Sequence, residues 1–572
     1  MTRSRLIILS ILIFLRASGF SLDSTLSLDQ SKSEMRPYIQ LFTADLEALN
    51  RYYSFPFAES RMKRFASFYE DWLIRINKID FDSLSPEGKV DYILFENFLK
   101  HQQYKLELQQ KSFREIEALI PFAAEIINLE ESRKKIEKIE PPGVAELLHR
   151  ISVNLENFKK QLETKRPKKF LILRAARVVD SLKDTLKKWY EFYHGYDPLF
   201  MWWVEKPYKE VVTALENYST FLRDKITGVK QGEIVGEPVG REALIKELSF
   251  EMIPYTPEEL IEIARKEMAW CERMMIQASQ EMGFGSDWKK ALEKVKGEHV
   301  EPGQQAALVK ELALEAIEFL EKNNLISIPS LAKEIWRMEM MTPEQQLVNP
   351  FFTGGEVIRV SFPTNTMSHE AKLMSMRGNN IHFARATVHH ELIPGHHLQG
   401  FMNARFKPYR RIFRTPFWTE GWALYWEMLL WDLDFPRSPE NKMGMLFWRM
   451  HRCARVIFSL NFHLGKWSPQ ECVDFLVNRV GHERANAEAE VRRSFEGEYG
   501  ALYQLAYLIG ALQFRALEKE LVKTGKMTYR EFHDAILMEN NIPVEILRAI
   551  LKKDTLKRDF QSTWRFYDGQ NQ

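Results

Sequence analysis

Three segments of the chain carry the residue pattern that begins an α-helix. They read TPEELIEIARKEM, SPQECVDFL and TYREFHDAIL. In these segments Thr256, Ser468 and Thr528 are placed to cap the helix, and a glutamate three residues later completes a capping box. Proline follows the first two caps, at the helical position where its missing N–H costs nothing. Apolar residues then recur at spacings of three and four, which predicts amphipathic helices.

Most of the 572 residues share this helical pattern, so we expect a mainly α protein. The segment NPFFTGGEVIRVSFPTN, residues 349–365, departs from it, because two glycines precede a β-branched run that ends at proline. This pattern is typical of a short strand entered through a turn. The strand either packs in a small sheet or offers a free edge, with unpaired N–H and C=O groups, to an extended peptide.

The N-terminus has a composition of its own. Two arginines precede an apolar run of ten residues from Leu6 to Leu15, and three small residues follow it. This order predicts a signal peptide over residues 1–19 and therefore an exported protein, periplasmic or secreted. A buried N-terminal helix is the alternative. The run is half as long as the roughly 20 residues that cross a bilayer, so no stable membrane span is expected.

Composition narrows the class of protein further. Lys and Arg number 80 against 78 Asp and Glu, so no nucleic-acid partner is expected. The three cysteines form no CxxC pair and no disulfide framework, and we expect them in the core. Charged helical runs between residues 35 and 330 are expected to face solvent. The aromatic stretch LFMWWVEKPY, residues 199–208, is expected to pack in a core.

The segment HHELIPGHH, residues 389–397, begins like the HExxH helix of zinc proteases. In that helix two histidines four residues apart share a face and bind zinc, and the glutamate beside the first activates water. Here the position four after His390 is Pro394. Proline lacks the N–H for the helical bond and clashes with the carbonyl four residues earlier, so the helix must distort. Gly395 supplies the backbone freedom for the distortion.

Neither later histidine would reach the metal from an undistorted helix. His396 would be rotated about 120° from His390, and His397 would lie roughly 10 Å further along the axis. If two residues bulge out at the break, His396 takes the place of the second ligand. We therefore predict His390 and His396 as ligands, Glu391 as the general base and His397 as the reserve ligand. His389 is expected to pack beside the site.

The segment FWTEGWALYWEML, residues 417–429, supplies the acidic groups that such a site needs. Glu420 follows His396 by 24 residues, enough for a loop and a returning helix, and is the predicted third ligand. Glu427 lies two turns later on about the same face and is predicted to accept a hydrogen bond from a ligand histidine. Two histidines and a glutamate leave one position on Zn²⁺ open for water, as in catalytic zinc sites.

HELIPGHHLQ followed by TEGWALYWEML resembles the signature of the DUF885 family, which is grouped with the gluzincin-type zinc metallopeptidases. The resemblance runs from about residue 250 to the C-terminus and includes AEVRRSF and LAYLIGALQ, whereas the earlier part is similar only in being helical. It implies a large helical protein with a small β-sheet beside a gluzincin-like, HExxH-type zinc site. We expect an N-terminal helical region over 20–330 and a catalytic zincin-like region over 331–572.

The resemblance also implies roles for single residues. It assigns the same zinc ligands and the same general base as the motif. Tyr507 matches a tyrosine that donates a hydrogen bond to the developing oxyanion, and Arg493 matches an arginine that binds a substrate carboxylate. The spacing between these two is longer here than in the family's usual pattern. An interhelical salt bridge for Arg493 and a core position for Tyr507 are therefore alternatives.

Together these features predict a zinc metallopeptidase that acts on peptide substrates. One alternative is an exported binding or scaffold protein that keeps the fold without turnover. The other is a zinc hydrolase that cleaves a non-peptide amide.

Overall fold

The computed structural model describes residues 28–163, 167–230, 232–346, 351–497 and 499–569. The predicted signal peptide, residues 1–19, lies outside the described residues. Among the described residues, no helix combines the length and the apolar character needed to cross a membrane.

Helices dominate the described chain, as predicted. Those before the sheet are α1 Arg36–Tyr52, α2 Glu59–Asn77, α3 Pro86–Arg114, α4 Ala123–Lys134, α5 Pro141–Leu162, α6 Lys169–Tyr193, α7 Pro198–Phe221, α8 Arg241–Phe250, α9 Pro257–Glu281, α10 Trp288–Gly297, α11 Gln305–Lys322 and α12 Ser330–Ile335. Those within and after it are α13 Pro343–Gln346, α14 His369–Gly378, α15 Ile381–Glu391, α16 His396–Asn403, α17 Pro416–Asp432, α18 Pro439–His463, α19 Pro469–Phe475, α20 Arg484–Phe495, α21 Tyr503–Leu521, α22 Tyr529–Met538 and α23 Val544–Lys552.

The capping predictions are confirmed at all three helix starts. Thr256, Ser468 and Thr528 each accept a hydrogen bond from the backbone N–H of the glutamate three residues later. The glutamate side chain in turn accepts from the backbone N–H of the cap. Each box satisfies N–H groups that the first helical turn leaves without a partner.

The predicted strand is present and pairs with one neighbour. Strands β1 Arg337–Met340 and β2 Val357–Val360 form a parallel two-stranded sheet, with Arg337 opposite Val357. Ile358 and Val360 of β2 are buried in a small core that also contains residues of α15. The sheet therefore packs against the helix that carries the first predicted ligand.

Two larger cores organise the helices. The main core contains residues of α1–α3 together with residues of α8 and the helices that follow it. The second core is built largely by α4–α7.

The three cysteines are buried and unpaired, as expected. The core prediction for residues 199–208 is wrong for Leu199, Trp202 and Trp203, which are 67%, 82% and 46% exposed, whereas Phe200 and Val204 are buried. The boundary at residue 330 stays a prediction.

A buried ion-pair network joins α3 to the C-terminal helices. Arg410 lies in a 3₁₀ segment, Pro408–Phe413, and its side chain is fully buried. Its Nε is 2.6 Å from Oδ1 of Asp91 on α3, and its Nη1 is 2.5 Å from Oε2 of Glu539, which follows α22. The Tyr409 hydroxyl donates to the other oxygen of Asp91 at 2.7 Å. Arg410 thus joins a buried carboxylate, Asp91, to the partly buried Glu539, which is far away in the chain and also pairs with Lys407.

We expect Arg410→Ala to lower the free energy of unfolding in urea by about 3–5 kcal/mol, because it leaves the fully buried carboxylate of Asp91 without a cation. Arg150→Ala is the control, since Arg150 pairs with Glu125 on the surface and such pairs contribute about 1 kcal/mol or less. A loss for Arg410→Ala as small as that of the control would contradict this interpretation.

Candidate metal centre

The helix is interrupted inside the histidine motif. Helix α15 ends at Glu391, and α16 begins at His396. Leu392 leaves helical geometry with φ −107° and ψ −104°, and the Ile393–Pro394 peptide bond is cis. A Cβ on Gly395 would lie 1.7 Å from the carbonyl oxygen of His390, so the close approach requires glycine. The predicted distortion occurs where expected, but it is a complete break between two helices rather than a two-residue bulge in one.

The break brings the predicted ligands together. The rings of His390 and His396 are 4.9 Å apart and perpendicular, with an interplanar angle of 89°. Oε2 of Glu420, on α17, lies 3.6 Å from Nε2 of His390 and 3.3 Å from Nε2 of His396. Ligand atoms of His390, Glu391 and His396 all lie within 4.8 Å of one another. The three predicted ligands and the predicted base therefore converge.

The arrangement fits a zinc ion. Ligands bound tetrahedrally at roughly 2.0–2.1 Å lie about 3.4 Å from each other, close to the two distances from Glu420 to the histidines. Oε2 of Glu420 is also buried without a hydrogen-bond partner, a costly state that a cation would relieve. Glu391 fits the base rather than a ligand, because its Oε2 is 3.9 Å from His396.

The electrostatics of the cluster favour a cation. Burial lowers the pKa of His396, but the negative charges of Glu420 and Glu391 outweigh burial and raise this pKa to about 9. Burial raises the pKa of Glu420, but the facing charge of His396 holds it well below its ordinary value. Burial raises the pKa of Glu391 above its ordinary value. The two carboxylates thus favour a positive charge at the position of His396.

Glu427 makes the contact that the sequence predicted. Its Oε1 lies 2.7 Å from Nδ1 of His390, and Arg452 on α18 lies 3.5 Å from the same oxygen. Because a carboxylate accepts, Nδ1 of His390 carries the proton, and Nε2 is left with its lone pair toward the cluster.

The other two histidines of the motif point elsewhere. Nε2 of His397 is 2.8 Å from the carbonyl oxygen of Ala332 on α12, so the structure does not bring the predicted reserve ligand to the cluster. Starting a new helix at His396 turns the next residue toward α12 instead of the cluster. His389 packs beside the site, as expected, with Nδ1 2.9 Å from the carbonyl oxygen of Arg385. Burial lowers the pKa of His389 to about 4.

Arg493 and Tyr507 both line the cavity of about 390 Å³ that contains the cluster. The ring of Tyr507 faces that of His390, with centroids 6.2 Å apart and an angle of 15°. Nε of Arg493 lies 2.8 Å from Oε2 of Glu490, one turn earlier on the same helix. The alternative of an interhelical salt bridge is therefore wrong for this pair, and Tyr507 borders the cavity as well as the core.

The residues of the cavity wall that escaped prediction include Arg452, Arg455 and Tyr503. Nε of Arg455 lies 2.7 Å from Oε1 of Glu490. The hydroxyl of Tyr503 donates to Oε1 of Glu420 at 2.6 Å. Arg452 and Arg455, two of the three arginines in the run RMHRCARVIF, were a signal for the wall, because buried guanidinium groups need acidic partners.

The segment before β2 closes one side of the cavity. A Cβ on Gly354 would lie 2.3 Å from Oε2 of Glu391, so the backbone packs directly against the predicted base. Thr353 pairs with Arg359, so the β2 edge that does not face β1 is already occupied. An extended peptide beside Glu391 would therefore meet residues 353–355, which line the cavity, rather than β2 itself.

Comparison with known families gives one extensive match. The model of the family described as "Bacterial protein of unknown function (DUF885)" matches residues 56–551. The match starts far before residue 250, so the expectation that the resemblance begins at about residue 250 is wrong. No curated protein matches the chain.

Solved structures share the fold. One is described as "a putative lipoprotein of unknown function from Shewanella oneidensis"; it is 16% identical, with a TM-score of 0.68 over 90% of this chain and 99% of that one. Another, "the putative lipoprotein from Colwellia psychrerythraea", is 14% identical, with a TM-score of 0.57 over 87% of this chain and 91% of that one. At these identities the likeness concerns the fold alone.

We expect His390→Ala and His396→Ala to weaken zinc binding by more than about 100-fold, beyond the effect of losing an outer partner of a ligand. His397→Ala is the matched control and should bind one zinc ion per chain like the unmodified protein. Metal content after dialysis, measured by plasma mass spectrometry, separates the variants. If His397→Ala loses zinc while His390→Ala and His396→Ala keep it, the assigned ligands are wrong.

Proposed function

Because the chain belongs to the DUF885 family of bacterial proteins of unknown function, we propose its function from the site: a zinc-dependent metallopeptidase of the gluzincin type. The observation that carries this proposal is the convergence of His390, His396 and Glu420 beside Glu391, at the wall of a cavity. Two histidines and one glutamate form a ligand set of catalytic zinc sites, which keep one position open.

The residues around the cluster suit peptide hydrolysis. A zinc ion in this site would polarise the scissile carbonyl and lower the pKa of a water molecule. Glu391 accepts the proton of the attacking water and delivers it to the leaving amine. The hydroxyl of Tyr507, on the cavity wall, donates to the oxyanion that develops on the carbonyl.

The cavity wall beside Tyr507 also supports a site for a substrate carboxylate. Arg452, Arg455 and Arg493 line the cavity, and the last two share a single carboxylate, Glu490. The two guanidinium groups therefore leave positive charge uncompensated by Glu490. Arg493 is the more exposed of the pair, with 14% of its side chain accessible against 2% for Arg455. We propose that Arg493 binds a carboxylate of the peptide through two parallel hydrogen bonds.

Export is part of the same proposal. The arginines, the apolar run and the small residues of positions 1–19 form the pattern of a signal peptide. The structural relatives from Shewanella oneidensis and Colwellia psychrerythraea are described as lipoproteins, which supports a place outside the cytoplasm for this chain as well.

Glu391→Gln tests the proposed base. We expect the variant to bind zinc normally but to hydrolyse peptides about 10²–10⁴-fold more slowly, the usual contribution of a general base. A peptide-library digest with the unmodified protein first identifies cleaved sequences, and kcat is then compared on the best peptide. A zinc-loaded Glu391→Gln protein that cleaves at the unmodified rate would rule out this mechanism.

Arg493→Ala tests the carboxylate site. On a cleaved peptide with a free C-terminus, kcat/KM should fall roughly 10–100-fold, because hydrogen bonds between charged groups are lost. On the same peptide with an amidated C-terminus the fall should be small. Arg492→Ala is the matched control, since Arg492 pairs with Glu496. Equal losses on acid and amide would show that Arg493 does not recognise a terminal carboxylate.

A further inference from the structure

Glu420 differs from the other predicted ligands in how its two oxygens are used. Oε1 accepts a hydrogen bond from the Tyr503 hydroxyl at 2.6 Å, the length of a strong, charge-assisted bond. Oε2 has no hydrogen-bond partner and lies 3.3 Å from Nε2 of His396. The carboxylate is thus fixed with one oxygen toward Tyr503 and the other toward the histidines.

We propose that Tyr503 is a positioning residue of the metal centre, which holds Glu420 as a ligand through one oxygen only. This inference rests on the proposed zinc function. A carboxylate can approach a cation through one or both oxygens. The hydrogen bond from Tyr503 holds Oε1 turned away from the ion, so the position that water or substrate needs stays open.

The surroundings hold Tyr503 in this role. Its ring stacks on Tyr499 with centroids 4.0 Å apart and planes 6° apart, and it meets the ring of Tyr507 at an interplanar angle of 77° with centroids 6.0 Å apart. Tyrosine has an ordinary pKa near 10, so the hydroxyl is a donor at neutral pH. The bond therefore has a fixed donor on a ring that is packed on two sides.

A close helix crossing supports the same contact. Glu420 lies on α17 and Tyr503 begins α21. A Cβ on Gly421 would lie 2.5 Å from Cα of Gly510 on α21, and a Cβ on Gly510 would lie 2.0 Å from the carbonyl oxygen of Phe417. The two backbones therefore approach as closely as glycine permits, directly beside Glu420. This crossing fixes the distance across which Tyr503 reaches the carboxylate.

Tyr503→Phe removes the hydroxyl and keeps the ring. We expect its zinc affinity, measured by competition with a chelator, to fall about 10–100-fold, as for other outer partners of metal ligands. Tyr425→Phe is the matched control: Tyr425 is a fully buried tyrosine on α17 itself, but its hydroxyl lies 2.8 Å from Nε2 of His533. The control should bind zinc as the unmodified protein does.

Cobalt gives a second measurement on the same variants. With Co²⁺ in place of zinc, a ligand that binds through both oxygens raises the coordination number and weakens the visible absorption per ion. We expect this weakening in Tyr503→Phe and not in Tyr425→Phe. If Tyr503→Phe and the unmodified protein have the same zinc affinity and the same cobalt spectrum, the role of Tyr503 is overturned. The proposed zinc function would then still stand. An unmodified protein that binds no zinc would overturn the proposed function and the inference with it.

Discussion

The interruption of the helix between Glu391 and His396 is the constraint on which the metal site depends. Proline cannot continue the helix, and the backbone approaches so closely that Gly395 has no room for a side chain. The break also has a partner outside its own segment, because the indole N–H of Trp422 donates to the carbonyl oxygen of Pro394 at 2.9 Å. Trp422 is two residues after Glu420, so the helix that supplies the third ligand also stabilises the break.

A second constraint places the remaining groups. The contact of Gly421 with Gly510 lets α17 and α21 approach closely, and it lies beside Glu420. Tyr503 and Tyr507 then face the cluster from one helix, one turn apart. The carboxylate of Glu427 reaches back to His390 from α17. Two local backbone features, a proline–glycine break and a glycine crossing, thus assemble groups from four segments of the chain.

Sequence patterns predicted the parts of this arrangement that are local. Helix starts depend on caps within one turn, and the position of the break depends on Pro394 and Gly395 alone. The form of the break could not be predicted from the sequence, because it depends on hydrogen bonds between distant residues, such as that of His397 with Ala332. Tyr503 was missed because its partner lies 83 positions away. The exposure of Trp202 was missed because aromatic content does not reveal which face a helix buries.

The most direct measurement is the location of zinc in a crystal of the unmodified protein, from anomalous diffraction on either side of the zinc absorption edge. We expect one strong peak within roughly 2.0–2.1 Å of Nε2 of His390, Nε2 of His396 and Oε2 of Glu420. Glu391 should face the ion without binding it directly. An ion coordinated by His397, or a zinc-soaked crystal without a peak at this cluster, would contradict a catalytic zinc centre formed by the broken helix.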